Sequence, residues 1–226
     1  MSLEDRLHEV RQRIQSACER VGREAHEVTL VAVAKTFPAD QVLAAIEAGA
    51  TDIGENRAQE LKEKAAVIGE SVRWHFIGPL QTNKVRQVVG IAAVIHSVDR
   101  YGLGEAIARR ARALGIVQEV LVEVNLAGES SKAGVDPPRA AGLAQQLESL
   151  EGLTVVGLMA IPPETSSAEE ARPYFEALAA LRTDVRAVVP DASHLSMGMT
   201  GDFEVAVEEG ATLVRIGRAI FGPRSR

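Results

Sequence analysis

The stretch LVAVAKTFP, Leu30 to Pro38, decides how the rest of the chain is read. A strand covered on both faces reads as a continuous apolar run, not as alternation, and such strands belong to parallel sheets packed under helices. An ammonium inside such a strand is costly to bury, so Lys35 is placed at its carboxyl end. The strand covers 29–34 and demands parallel neighbours on either side.

Those neighbours are found along the chain as TDIG (51–54), VRWHFIG (72–78), AAVIHS (92–97), QEVLVEVN (118–125), LTVVGLM (153–159), SHLSM (193–197) and TLVRIG (212–217). Helical patterns lie between them, among them ADQVLAAIEAGA, NRAQELKEKAAVI, RYGLGEAIARRARALG and AEEARPYFEALAALRTDV. Eight strands, each followed by a helix, within 226 residues is the arithmetic of a (β/α)8 barrel, with a doubly wound sheet as the alternative. Ahead of the first strand, Leu3, Leu7, Val10, Ile14 and Cys18 share one helical face, and Ser2 with Asp5 forms a capping box that starts an extra amino-terminal helix. No linker or shift in composition divides the chain, so residues 1–226 are expected to form one domain. Residues 127–138 and 164–169 read as longer loops after strands, on the face where barrels build their sites.

A net charge of −6 argues against nucleic acid or an anionic membrane as the main partner. One cysteine excludes an internal disulfide and any multi-cysteine metal site. The acidic, amphipathic start is unlike a signal peptide, and no apolar run approaches the ~20 residues of a membrane span. A cytoplasmic protein is expected.

At the carboxyl ends of the strands stand Lys35, Glu55 with Asn56, His75, Ser97, Asn125, Met159, Ser196 and Arg215. Lys35 is either a salt-bridged surface lysine or a desolvated amine able to form a Schiff base with an aldehyde, and the apolar strand leading into it favours the second. Gly217 follows the last strand and opens a short helix, and the loop LSMGMTGDF (195–203) brings Ser196, Gly198 and Thr200 beside it. Barrels often bind phosphate between these two loops. Arg215 either pairs with a barrel carboxylate such as Glu123 or points into the site. His75 either lines the site or satisfies a backbone carbonyl. The five histidines lack metal-site spacing.

Taken together, VAVAKTFP (31–38), IGENRAQEL (53–61), WHFIGPLQTNK (74–84), IHSVDR (95–100), VEVNLAGESSKAG (122–134), GLMAIPP (157–163), LSMGMTGDFEVAV (195–207) and VRIGRAIFG (214–222) resemble the pyridoxal phosphate homeostasis proteins, single-domain relatives of the alanine racemase barrel. The resemblance covers nearly the whole chain in order. It implies a barrel of the alanine racemase N-terminal-domain type that holds pyridoxal 5′-phosphate (PLP) as an internal aldimine on Lys35. By the same matching, Ser196, Met197, Gly198, Met199 and Thr200, with Gly217, Arg218 and Ala219, cradle the phosphate. Arg215 faces the pyridine nitrogen, and Asn56 and His75 stand near the ring. Two positions depart from the pattern. Arg218 replaces a small hydroxyl residue, so it either supplies charge to the phosphate or points to solvent. Arg57 stands where the family often has tyrosine.

The resemblance implies that the related racemases draw a tyrosine base from a second domain, and a chain ending at Arg226 is expected to leave no room for one. An arginine opposite the ring nitrogen also weakens the cofactor as an electron sink. The expected function is PLP storage and delivery, influencing amino- and keto-acid balance, without robust turnover. Apo forms of PLP enzymes are the expected acceptors, and a monomer is the expected state. The alternatives are a weak PLP enzyme such as a racemase, or a Schiff-base aldolase.

Overall fold

Each apolar run marked by the sequence is a strand, paired in parallel with the next: β1 (Thr29–Val33), β2 (Asp52–Glu55), β3 (Arg73–Phe76), β4 (Val94–Val98), β5 (Gln118–Glu123), β6 (Leu153–Met159), β7 (His194–Ser196) and β8 (Leu213–Ile216). In this computed structural model, which describes residues 1–128 and 133–223, β8 pairs back onto β1 and closes the barrel. Closure removes the doubly wound alternative. Helix α1 (Leu3–Arg20) precedes β1, and α2 (Ala39–Glu47), α3 (Ala58–Ile68), α4 (Val85–Val88), α5 (Tyr101–Leu114), α6 (Ala140–Glu148), α7 (Arg172–Arg186), α8 (Phe203–Glu208) and α9 (Arg218–Phe221) follow β1 to β8 in turn. Among the described residues no helix is long and apolar enough to cross a membrane.

Several strands are shorter than their apolar runs. β1 stops at Val33, so Lys35 lies two residues beyond it, in the turn toward α2. Of the loop expected at 127–138, and of the matching segment 122–134, residues 129–132 lie outside the described residues.

Alternation along each strand creates two interiors. Outward-facing Ala32, Ile53, Ile95, Val120, Leu158 and Val214 pack with the helices into the main core. Inside the barrel, Val94, Leu121 and Met159 form a separate small apolar cluster. The registers place Asp52 beside Val31, His75 beside Val94, Met159 beside Ser196 and Arg215 beside Val31, so these polar side chains share the inward parity. Barrel interiors are usually filled by bulky aliphatic residues, and here much of the interior is polar instead.

Helix α1 starts with the expected capping box, the Ser2 hydroxyl accepting from Asp5 N–H and the Asp5 carboxylate from Ser2 N–H. Its apolar face of Leu7, Val10, Ile14, Ala17 and Cys18 is buried. Arg13 pairs with Glu204 and lies over the Phe203 ring, and Arg6 donates to the Ile220 carbonyl, so α1 is fastened to α8 and α9.

At the β6–β7 seam, a Cβ added to Gly157 would lie 2.0 Å from the His194 carbonyl oxygen. Gly157→Ala is expected to destabilise the fold by about 1–3 kcal/mol or more, read as a lower urea midpoint with an unchanged slope.

Candidate functional site at the carboxyl rim of the barrel

Lys35 is half-buried, and its neighbours on both sides are fastened to α3. The Ala34 carbonyl accepts from Lys64 Nζ at 2.9 Å, and Thr36 N–H donates to Glu60 Oε2 at 2.9 Å. Thr36 has φ +70°, the one positive φ outside glycine among the described residues. A β-branched residue rarely adopts that conformation, so the Glu60 contact holds a strained turn. Beyond it, Phe37 stacks on Phe221 of α9 with ring centroids 5.1 Å apart, tying the first loop of the barrel to the last helix.

The lysine behind this turn, Lys64, is only 7% exposed. Its ammonium meets Glu55 Oε1 at 2.5 Å and Glu60 Oε2 at 3.5 Å in addition to the Ala34 carbonyl, which matches its three donors. Glu55 is wholly buried, and burial pushes its carboxyl upward against the attraction of Lys64. Sequence reading passed over Lys64 and Glu60 because lysine and glutamate on a helix ordinarily face water. One signal was present: Leu61, Lys64 and Ile68 fall on a single buried helical face.

Across the β1–β8 seam, Arg215 is 4% exposed. One guanidinium nitrogen donates to Ser196 Oγ and another to the Ala160 carbonyl at 3.0 Å. Among the described residues no carboxylate comes within ion-pairing distance, so the expected alternative of a Glu123 pair is not what holds it. Burial pulls the guanidinium down to about 10, while Asp202 and Glu123 at longer range favour its charge. It remains a cation at neutral pH.

The loop after β7 and the start of α9 lie next to each other on the rim. Gly198 has φ +89°, and a Cβ there would sit 2.6 Å from that of Ala206, so only glycine fits. Its carbonyl accepts from Arg215 N–H. Met197 is buried in the outer core, and Met199 is exposed, with its N–H capped by Asp202. The N–H groups of Thr200 and Gly201 meet no acceptor among the described residues. Gly217 packs against the Val33 carbonyl, which sets the first N–H groups of α9 beside the end of β1. Arg218 is exposed.

The other expected residues separate into two groups. Asn56 is in the turn after β2, and its Oδ1 is buried without a partner among the described residues, as is Ser97 Oγ at the end of β4. A groove of about 420 Å³ runs from Asn56 past Leu80 and Lys84. Arg57 is exposed at its edge and pairs with Glu60 at 3.3 Å. Ser196 and His75 instead face the barrel interior. The Ser196 hydroxyl is committed to Arg215 and His96, and both His75 ring nitrogens are engaged, by Asp52 and His96. Strand parity is the reason: both residues occupy inward positions below the rim.

The closed barrel of eight parallel strands is of the class found in the N-terminal domain of alanine racemase. The chain matches the family described as "Alanine racemase, N-terminal domain" over residues 6–225. It is 46% identical over 222 residues to the pyridoxal phosphate homeostasis protein of Aquifex aeolicus, covering 97% of each chain. Among solved structures, an unknown protein from Bifidobacterium adolescentis superposes with a TM-score of 0.92 at 40% identity, over 96% of this chain and 94% of that one. PipY of Synechococcus elongatus, solved with PLP bound, gives 0.86 at 33% identity, over 98% and 100%. The chain belongs to the pyridoxal phosphate homeostasis protein family.

Lys64→Met leaves Glu55 buried without its cation and is expected to cost about 3–5 kcal/mol. Adding Glu55→Gln should recover more than half of that loss in urea denaturation. Glu123 supplies a pH signature. Burial, reinforced by Asp99 and opposed by Arg215, pushes its carboxyl from 4.5 to about 7. The folded protein therefore holds this proton more tightly than the unfolded chain. Its contribution is complete below about pH 4.5 and is lost as pH rises through about 7. Glu123→Gln should gain stability over the parent across that window, by up to about 3 kcal/mol above it, measured as urea midpoints against pH.

Proposed function

We propose that the chain, as one barrel domain over residues 1–226, binds PLP at this rim through a covalent bond from Lys35 Nζ and stores or hands on the cofactor without robust turnover. One observation carries the reading. The closing β1–β8 pair sets a lysine turn clamped on both sides above a buried guanidinium, around a mouth whose buried polar atoms include two without a partner among the described residues.

The residues fit the group. Among the described residues Asn56 Oδ1 and Ser97 Oγ lack partners that a polar ring could supply. Gly198 and Gly217 allow close backbone approach, and the N–H groups of Thr200, Gly201, Arg218 and Ala219 suit a phosphate. When bound, PLP supplies an aldehyde and an electron-withdrawing ring. Lys35 would hold the group covalently through Nζ, with the aldehyde oxygen released as water. Arg215 can only donate, so it would hold the pyridine nitrogen unprotonated and weaken the ring as an electron sink. The two tyrosines lie on outer helices, Tyr101 opening α5 and Tyr174 in the first turn of α7, which supports a reading without the second base of a racemase. The name shared by the relatives favours a carrier over an enzyme. Apo forms of PLP enzymes are the acceptors on this reading, in the cytoplasm, with a monomeric carrier and an effect on amino- and keto-acid balance.

Purified protein mixed with PLP should show a visible Schiff-base band that is absent in Lys35→Ala. Chiral analysis of incubated L-alanine should find less than one equivalent of D-alanine per site. A band that survives Lys35→Ala sinks the anchor, and many turnovers per site sink the carrier reading.

A further inference from the structure

The barrel interior contains a continuous line of hydrogen bonds that no rim contact requires. Arg215 donates to Ser196 Oγ, Ser196 Oγ lies 2.9 Å from His96 Nδ1, His96 Nε2 lies 2.9 Å from His75 Nδ1, and His75 Nε2 lies 2.9 Å from Asp52 Oδ1. The four residues His75, His96, Ser196 and Arg215 are each no more than 4% exposed. The line joins β8, β7, β4, β3 and β2 across the barrel. At its far end Asp52 also accepts from the Thr51 hydroxyl, has Arg73 at 4.0 Å and lines a cleft of about 590 Å³ beneath α1.

Its two ends impose a direction. An arginine only donates and a carboxylate only accepts. Asp52 is held below the ordinary carboxylate range by its hydrogen bonds from His75 and Thr51, which outweigh burial. It therefore takes the Nε2 proton of His75. With one proton on each imidazole, His75 accepts at Nδ1 and His96 donates from Nε2. His96 is wholly enclosed, and burial beside His75 and Arg215 keeps it neutral. It therefore accepts at Nδ1 from the Ser196 hydroxyl, whose oxygen receives Arg215. Every polar atom in the line is satisfied once, and reversing any member leaves two donors or two acceptors face to face.

We propose that Asp52, His75 and His96, acting through Ser196, are positioning residues that hold the Arg215 guanidinium against the cofactor ring, although none of the three touches the cofactor. This rests on PLP occupying the rim with Arg215 at its pyridine nitrogen. A buried guanidinium without a contacting carboxylate has few restraints. The Ser196 oxygen, with its own proton drawn away by His96, is the acceptor that fixes one of its nitrogens, and the Ala160 carbonyl fixes another. The carbonyl alone would leave the guanidinium free to turn about that bond.

The test has two parts. ¹⁵N-histidine NMR of the protein without cofactor, at pH 8, should show His75 and His96 both protonated at Nε2. A proton on His96 Nδ1 would overturn the direction, and the proposal with it. PLP is then titrated into the parent, Ser196→Ala and Ser196→Thr, following the Lys35-dependent band and the histidine resonances. In the parent, PLP should shift the ring nitrogens of His96 and, more weakly, of His75. Ser196→Ala should weaken PLP binding about tenfold, abolish the histidine shifts and move the pH midpoint of the band. Ser196→Thr, which keeps the hydroxyl, should recover the shifts. His96→Gln, in case Ser196→Thr is too large for its site, should weaken binding as Ser196→Ala does. Parent-like affinity, band midpoint and histidine shifts in Ser196→Ala would refute the coupling. Absence of a Lys35-dependent band in the parent would refute the cofactor reading, and so the proposed role, while the NMR still reports the direction of the line.

Discussion

Closure of the barrel between β1 and β8 is the constraint on which the rest of the structure depends. The pairing of Val31 with Arg215 and of Ala32 with Ile216 sets both the height and the inward parity of the last strand against the first. Lys35 and Gly217 consequently meet on one rim, and Arg215 enters the interior below them. A slip of one residue would turn Arg215 outward into the apolar layer under the helices and bring Ile216 inward. The Phe37–Phe221 stack and the docking of α1 on α8 and α9 lie along the same seam and reinforce it from outside.

Charge burial is the second theme. Two basic side chains, Lys64 and Arg215, are almost wholly enclosed, and they are accommodated in different ways. Lys64 is matched donor by donor with two carboxylates and a carbonyl, and the matching fastens the strained turn that carries Lys35. Arg215 has neutral acceptors and only distant carboxylates. A cation left without a contacting anion is poorly stabilised by its surroundings and strongly attracts an acceptor brought to the rim. The first arrangement suits a scaffold, and the second suits a binding site.

The fold was legible because its signal is local. Continuous apolar runs separated by amphipathic ones fix the order of strands and helices, and the Ser2–Asp5 box marks a helix start at the right place. Strand ends were less legible, as at β1, because the ladder stops where a neighbour stops pairing and not where apolar residues run out. At the site, Lys35, Asn56, Arg215 and the glycines of the last two loops were visible as polar or small residues after strands. Lys64 and Glu60 were not, because their composition is that of an exposed helix face and only the packing of α3 on the end of β1 enclosed them.

The sequence by itself determined the alternation of elements, the family likeness and a lysine just after the first strand, since each depends on residues close together in the chain. Only the tertiary structure decided what Ser196, His75 and His96 do. Their partners lie 21 and 100 positions away, and contact depends on strand register and inward parity, neither of which local periodicity contains. The same residues read along the chain look like separate rim groups. Closed into a barrel, they form one hydrogen-bonded line, because a closed sheet brings inward positions of strands that are not neighbours within reach across its interior.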